Sequence, residues 1–187
     1  RSRGQAEILC AVLANPNREW TLGELAKVSG QSLPTVQREI ERAELAALVE
    51  EVVTLAVDRH TDELAQPIEL KGLATAVATR AARRSGRNIV VTGDTSIIVA
   101  RRHLVDRAIS NLLDNAVKFD PSNNDIEVTI SGGKIIVSDR GPGIPESELG
   151  LIFERFHRAV ASRTLPGSGL GLAIVADVAR SHGGDVF

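Results

Sequence analysis

The sequence has no methionine and a single cysteine. A lone Cys10 excludes an internal disulfide, so a reducing compartment, the cytoplasm, is the simple expectation. It sits among Ile8, Leu9, Val12 and Leu13, the setting of a packing residue rather than a reactive thiol. The histidines, His60, His103, His157 and His182, are scattered, and with one cysteine they form no zinc-ligand spacing. No run approaches the ~18 apolar residues of a membrane span, and no signal peptide is visible. A formal net charge of −2 exerts no global pull toward nucleic acid or an anionic surface. Without a methionine, Arg1 does not read as a native start, and the terminal Asp185-Val186-Phe187 reads as the beginning of a strand, so a C-terminally truncated fragment is expected. What the chain does have is apolar content, 43%, sufficient for one or two globular cores.

The most informative stretch is Ala108 to Phe119, AISNLLDNAVKF. As a helix it puts Leu112, Leu113, Ala116 and Phe119 on one face and Asn111, Asn115 and Lys118 on another. Asn is a poor helix-interior residue because its amide competes with the backbone. Two of them a turn apart, with a lysine beyond, read either as a solvated face or as a site. Amide oxygens can ligate Mg2+, and an ammonium can meet a phosphate. Downstream, the β-like run Ile135-Ile136-Val137 leads into Asp139-Arg140-Gly141-Pro142-Gly143-Ile144-Pro145. A glycine-rich bend with an aspartate at its mouth lets backbone approach a flat ligand while the carboxylate accepts from an exocyclic amine. Ile152-Phe153-Glu154-Arg155-Phe156 follows, and then Pro166-Gly167-Ser168-Gly169-Leu170-Gly171-Leu172 opens an apolar helix, Ala173 to Val178. Glycines entering a helix N-terminus offer free N–H groups and a favourable dipole to an anion. Four elements in this order favour the site over the solvated face.

NLLDNAVKF resembles the N box of sensor histidine kinases, DRGPGIP the G1 box, IFERF the F box and GSGLGLAIV the G2 box. The resemblance runs from roughly Ile68 to Phe187. It is to the catalytic, ATP-binding domain of the GHKL superfamily, and it implies a Bergerat-type fold with ATP and Mg2+ as ligands. It implies that Asn115 holds Mg2+, that Asn111 and Lys118 face the phosphates as the catalytic polar groups, and that Asp139 reads the adenine amine. Gly141, Gly143, Ser168, Gly169, Leu170, Gly171 and Leu172 would contact the nucleotide. Phe153 to Pro166 would form a mobile lid carrying Phe153 and Phe156, with Arg158 and Arg163 toward the γ-phosphate and Gly167 at its end. Sensor kinases usually carry membrane segments and act on a response regulator. The parent is therefore expected to be membrane-anchored, with no membrane segment in this fragment.

The N-terminal third reads differently. Gln5 to Leu13 is apolar at helical spacing. Thr21 and Glu24 form a capping-box pair for Leu22 to Val28, Gly30 makes a turn, and Ser32 with Pro34 opens a further helix. Ala26, Gly30 and Val36 sit at helix-turn-helix spacing, with Trp20 as a core plug. TLGELAKVSGQSLPTVQREI resembles the helix-turn-helix of bacterial winged-helix regulators. That resemblance implies Gln31, Ser32, Thr35, Gln37 and Arg38 as its DNA contacts. Residues 1–43 carry six Lys/Arg against five acids, a weak footprint for phosphate neutralisation. No wing follows. The helical pattern instead continues from Pro34 to about His60, roughly 40 Å at 1.5 Å per residue. Leu45, Leu48, Val52 and Leu55 form a short seam suited to a homodimer. ALVEEVVTLAVDRH resembles the end of a kinase dimerisation helix, without the phosphoacceptor histidine of its first helix.

The expected fold class is α+β. An all-α helix-turn-helix (1–44) continues into a helical connector (45–62), and a two-layer α/β sandwich (63–187) follows. Its strands are expected at Ile68 to Leu70, Asn88 to Val91, Ser96 to Val99, Ile126 to Ile130 and Lys134 to Val137, in one mixed sheet with helices on one face. Leu73 to Arg84 is a helix whose Arg80, Arg83 and Arg84, with Arg87, read as a solvated face. A fusion near Ala43 to Leu48, engineered or rearranged, is expected over a natural protein that lost its wing. Three functions compete. The leading one is ATP·Mg2+ binding by a kinase domain that is inactive alone. The others are a DNA-binding regulator with an ATP-responsive domain and a structural fusion without activity.

Overall fold

The computed structural model describes residues 21–42, 45, 63–158 and 168–187, and the chain divides into two units, Arg1–Thr54 and Leu55–Phe187. In the first, α1 (Leu22–Ser29) starts as the capping box dictates. The Thr21 hydroxyl accepts from the Glu24 N–H at 3.3 Å, and the Glu24 carboxylate accepts from the Thr21 N–H at 2.9 Å. These bonds satisfy donors that a helix start leaves free. The helix ends at Gly30, whose N–H reaches the Ala26 carbonyl. The Val36 N–H returns to the Ser32 carbonyl at 3.0 Å and opens α2, residues 33–42. Leu25 and Val36 are buried.

Of the candidate DNA contacts, Ser32, Gln37 and Arg38 are exposed and Gln31 and Thr35 half-buried. Ser32 and Thr35 share a hydroxyl hydrogen bond, and Gln37 donates to Glu41. Leu45 is exposed. The expected first helix with Cys10, Trp20, and the seam from Leu48 through Val52 and Leu55 to His60 lie outside the described residues.

In the second unit β1 (Gln66–Glu69) passes directly into α3 (Leu70–Ser85). The Glu69 carboxylate accepts from the Gly72 N–H at 3.0 Å. This cap removes the loop between strand and helix, so both begin earlier than the apolar pattern predicts. Next come β2 (Ile89–Gly93), β3 (Ile97–Ala100), α4 (Arg102–Phe119), β4 (Ile126–Ser131), β5 (Lys134–Ser138), α5 (Glu146–Leu149) and α6 (Gly171–Ser181). Strand β4 lies between β2, parallel, and β5, antiparallel, while β1 pairs with β3. The single mixed sheet expected from the sequence is thus two ladders among the described residues. The parallel β2–β4 pair needs a crossover, which β3 and α4 supply. Ile126, Val128 and Ile130 point from β4 into the core with the period of a half-buried strand. They join Leu73 and Val77 of α3 and Ile109 and Leu113 of α4 there.

Helix α4 packs on both α3 and α6. Its buried stripe is Leu104, Val105, Ala108, Ile109, Leu113 and Ala116. Leu112 and Phe119, expected on that face, are half-buried. At about 100° per residue both fall within the arc that this stripe spans, so the expected face is the observed one, with these two side chains less completely covered. The arginine run of α3 and the turn after it makes ion pairs with α4 and Asp120. Arg80 binds the Asp106 carboxylate at 2.6 and 2.8 Å, and Arg84 pairs with Asp114, both on α4. Arg87 is half-buried, its side chain 10% exposed. Arg80, Arg83 and Arg84 are exposed, as a solvated face expects; Arg87 is the exception. Among the described residues no helix is long and apolar enough to cross a membrane.

Leu113 is fully buried beneath the same helix that carries Asn111 and Asn115. Leu113→Ala is expected to cost about 2–5 kcal/mol, the range for a core leucine whose cavity does not collapse. Denaturant unfolding measures this. A loss within error of zero would contradict the packing described.

Candidate functional site

Helix α4 meets the start of α6. The Asn111 side-chain amide donates to the Gly171 carbonyl at 3.3 Å. A Cβ added to Gly171 would lie 4.0 Å from both Asn111 Cγ and Asn115 Nδ2. Both asparagines, one turn apart, therefore flank the first residue of α6. That helix start has no side-chain cap, so its first N–H groups are left for an anion. The Leu170 N–H bonds the Ser168 hydroxyl at 3.2 Å. Leu170 itself is buried, so it offers backbone only, and Leu172 is half-buried. Lys118 stands with its ammonium 4.6 Å over the Phe119 ring.

The segment before α6 is tied to it at two points. Gly169 adopts φ +74, and a Cβ there would sit 2.6 Å from the His157 carbonyl oxygen. Only glycine fits, for space and for conformation. The Phe156 N–H bonds the Gly169 carbonyl at 3.0 Å, and Phe156 has a positive φ of 64. Its ring is exposed. Arg155 pairs with Asp177 of α6 at 2.7 Å, and Phe153 lines an open groove with them and Arg180. Arg158 is half-buried. Arg163 and Gly167 lie outside the described residues.

The bend after β5 presents Asp139 to solvent. One oxygen of its carboxylate accepts from the Gly141 N–H at 2.7 Å. A Cβ on Gly141 would lie 2.7 Å from the Phe119 carbonyl oxygen. That glycine is required by the bend's passage against the end of α4, whatever ligand approaches it. Gly143 turns the chain in open space.

Two residues outside the expected site join these parts. Asp120, the first residue beyond α4, is 2% exposed. One carboxylate oxygen accepts from the Ser122 N–H at 2.8 Å and from the Ser122 hydroxyl. The other accepts from Arg87 at 2.8 Å and from the Arg140 N–H at 3.3 Å. Arg87 also donates to the carbonyls of Asp120 and Asn124, at 2.9 and 2.6 Å. The Ser122 hydroxyl, then Arg87 and the backbone donors, hold the Asp120 carboxyl well below the usual carboxylate range against the opposing effect of burial. The Asp-x-Ser spacing is the sequence signal for this local turn; Arg87 had none beyond membership of a basic run. At the far end of the helices, the Arg101 N–H donates to His182 Nε2 at 3.1 Å, and His182 Nδ1 bonds the Val178 carbonyl at 2.8 Å.

A family profile described as histidine kinase-, DNA gyrase B-, and HSP90-like ATPase matches residues 100–187. The signal transduction histidine-protein kinase/phosphatase MprB of Mycobacterium leprae (strain TN) is 36% identical over 97% of this chain and 35% of its own length. Among solved structures, a mycobacterial sensor histidine kinase MprB is 33% identical, with a TM-score of 0.58, over 64% of this chain and 81% of that one. The ATP binding domain of PrrB from Mycobacterium tuberculosis is 30% identical, with a TM-score of 0.51, over 67% and 85%. The chain spans about a third of the length of the curated relatives it matches. The alignment to the M. leprae protein runs through Ala43 to Leu48, where a fusion seam is expected from the sequence. Neither a fused helix-turn-helix nor an engineered junction finds support in these similarities.

Because the folded Asp120 carboxyl is depressed, the unfolded chain binds more protons in acid, and stability rises with pH through that range. The contribution is full above the ordinary value of 3.8 and is lost as pH falls through the lower folded value. Unfolding midpoints measured from about pH 7 down to pH 3 should fall steeply at the acid end in the wild type and less so in Asp120→Asn. Parallel curves would contradict this assignment.

Proposed function

We propose a function from one premise: this chain belongs to the ATP-binding domain family of the sensor histidine kinases. On our reading residues 63–187 bind ATP or ADP with Mg2+ between α4 and the start of α6. The observation that carries this is the pair Asn111 and Asn115 flanking an uncapped helix start at a residue with no Cβ. The residues fit the ligands. Amide oxygens suit a hard cation, and helix N–H groups suit phosphate oxygens. Asn115 would hold Mg2+, and Asn111 and Lys118 would face the phosphates with Ser168, Gly169, Gly171 and Leu172. Asp139 would accept from the adenine amine, with Gly141 and Gly143 beside it. Phe153, Phe156, Arg158, Arg163 and Gly167 would belong to the lid. The bound metal would neutralise phosphate charge.

This chain's own residues point to holding ATP more than consuming it. The ATP-hydrolysing relatives implied by the resemblance carry a glutamate base one turn before the metal asparagine. Here that residue is Asn111, an amide that cannot take a proton near neutral pH. Phosphoryl transfer needs an in-line nucleophile, and we assign it to a histidine outside this chain, with a response regulator downstream. Residues 45–62 would be the end of a dimerisation helix, giving a homodimer. DNA binding by Gln31, Ser32, Thr35, Gln37 and Arg38 is not part of this reading.

Calorimetry with Mg·ATP is expected to show saturable binding, and Asp139→Asn to weaken it by about 1.5–3 kcal/mol, the value of a charge-assisted bond. A folded wild type that gives no binding would refute the reading. Incubation with ATP should give no multiple-turnover phosphate release; robust release abolished by Asn115→Ala would show that Asn111 is no bar to hydrolysis.

A further inference from the structure

We infer that Arg87 paired with the buried Asp120 is the positioning element for base selection: it sets the Asp139 bend against α4, so that adenine recognition depends on it while phosphate binding does not. This rests on the nucleotide reading above. Asp120 reaches the bend through a single bond, its carboxylate accepting from the Arg140 N–H at 3.3 Å. That N–H belongs to the peptide joining Asp139 to Arg140. Fixing a planar peptide fixes the Cα atoms on both sides, one of which carries the Asp139 carboxylate. That carboxylate is turned by its own bond to the Gly141 N–H at 2.7 Å, and Gly141 packs without room for a Cβ against the Phe119 carbonyl. The chain from the end of α4 to the aspartate that would read the base is thus continuous: Phe119, Asp120, the 139–140 peptide, Asp139.

Arg87 makes the arrangement single-valued. Its guanidinium bonds the Asp120 carboxylate and carbonyl and the Asn124 carbonyl together, with the side chain 10% exposed. All four groups around the Asp120 carboxylate are donors. An asparagine in its place would have to turn an NH2 against one pair of them, since its amide carries two donors and one acceptor oxygen. By contrast, Asn111, Asn115 and the start of α6 are held by the Asn111–Gly171 bond, by the core stripe of α4 and by the His182–Arg101 bond. None of these passes through Asp120.

The test compares three probes, each with Mg2+, on the full chain: ATP, inosine triphosphate, which lacks the exocyclic amine, and inorganic tripolyphosphate. Wild type should prefer ATP over inosine triphosphate by about tenfold or more, the worth of one good charge-assisted bond. Asp120→Asn should lose most of that preference while tripolyphosphate affinity stays within about twofold. Arg87→Lys keeps the charge but cannot bridge carboxylate and carbonyls at once. It should lose the preference in the same way and serves where Asp120→Asn does not fold. Amide exchange at Arg140 should quicken in either variant. A purely structural role would weaken all three probes in parallel, and that result overturns the inference. So does an ATP preference retained in both variants, or a wild type that binds nucleotides without preference. A wild type that binds none of the probes overturns the nucleotide reading itself.

Discussion

A buried carboxylate whose neighbours are all donors is costly to form and well defined once formed, and Asp120 is such a group. It lies where three parts of the chain must agree: the end of α4, the turn after α3 that brings Arg87, and the bend after β5. None of these is rigid alone. The turn and the bend lack regular structure, and a helix end leaves its last carbonyls open. Arg87 takes one of those carbonyls and the carboxylate together. Its fork geometry makes the pairing directional, which a lysine could not do.

The second constraint is the meeting of α4 and α6. These helices touch at the site through Asn111 and Gly171 and at the opposite end through Arg101 and His182. Two ties along a packed pair define both spacing and rotation, so the asparagine side chains are held against an uncapped helix start. The glycines of the site serve the frame as well as any ligand. Gly141 is required by the Phe119 carbonyl, and Gly169 by the backbone of Phe156 and His157. A motif that reads as room for a nucleotide is also room for the chain's own backbone.

Much of this was legible from residue pattern. The asparagine pair, the aspartate at the bend and the glycine entry to α6 all come from local spacing. The structure brings the first and third together, and it leaves Asp139 exposed on its own bend. Strand existence in the second unit was legible from period and turn residues. Boundaries were not, where side chains decide them: Glu69 ends β1 and caps α3, which begins at the next residue. The buried stripe of α4 was read in direction but not in extent, because a twelve-residue window omits Leu104 and Val105. Arg87 and Asp120 were invisible for another reason. They are thirty-three positions apart, and nothing local marks one arginine of four as the one that reaches Asp120. The helix-turn-helix reading finds no support among the relatives, and its signals, a capping box and a glycine turn, are local events that many helix pairs share.

The account's central claim is that one nucleotide, with its metal, spans Asn111 and Asn115, the start of α6 and the Asp139 bend. Titrating Mg·ATP into the isotope-labelled chain while following its amide resonances tests this most directly. The side-chain amides of Asn111 and Asn115 and the backbone amides of Gly141, Gly171 and Leu172 should shift together along one saturation curve. The Asn115 side chain should be the most sensitive to withdrawal of Mg2+. A folded chain in which these resonances stay still, or in which the bend and the α6 start saturate at unrelated concentrations, would contradict it.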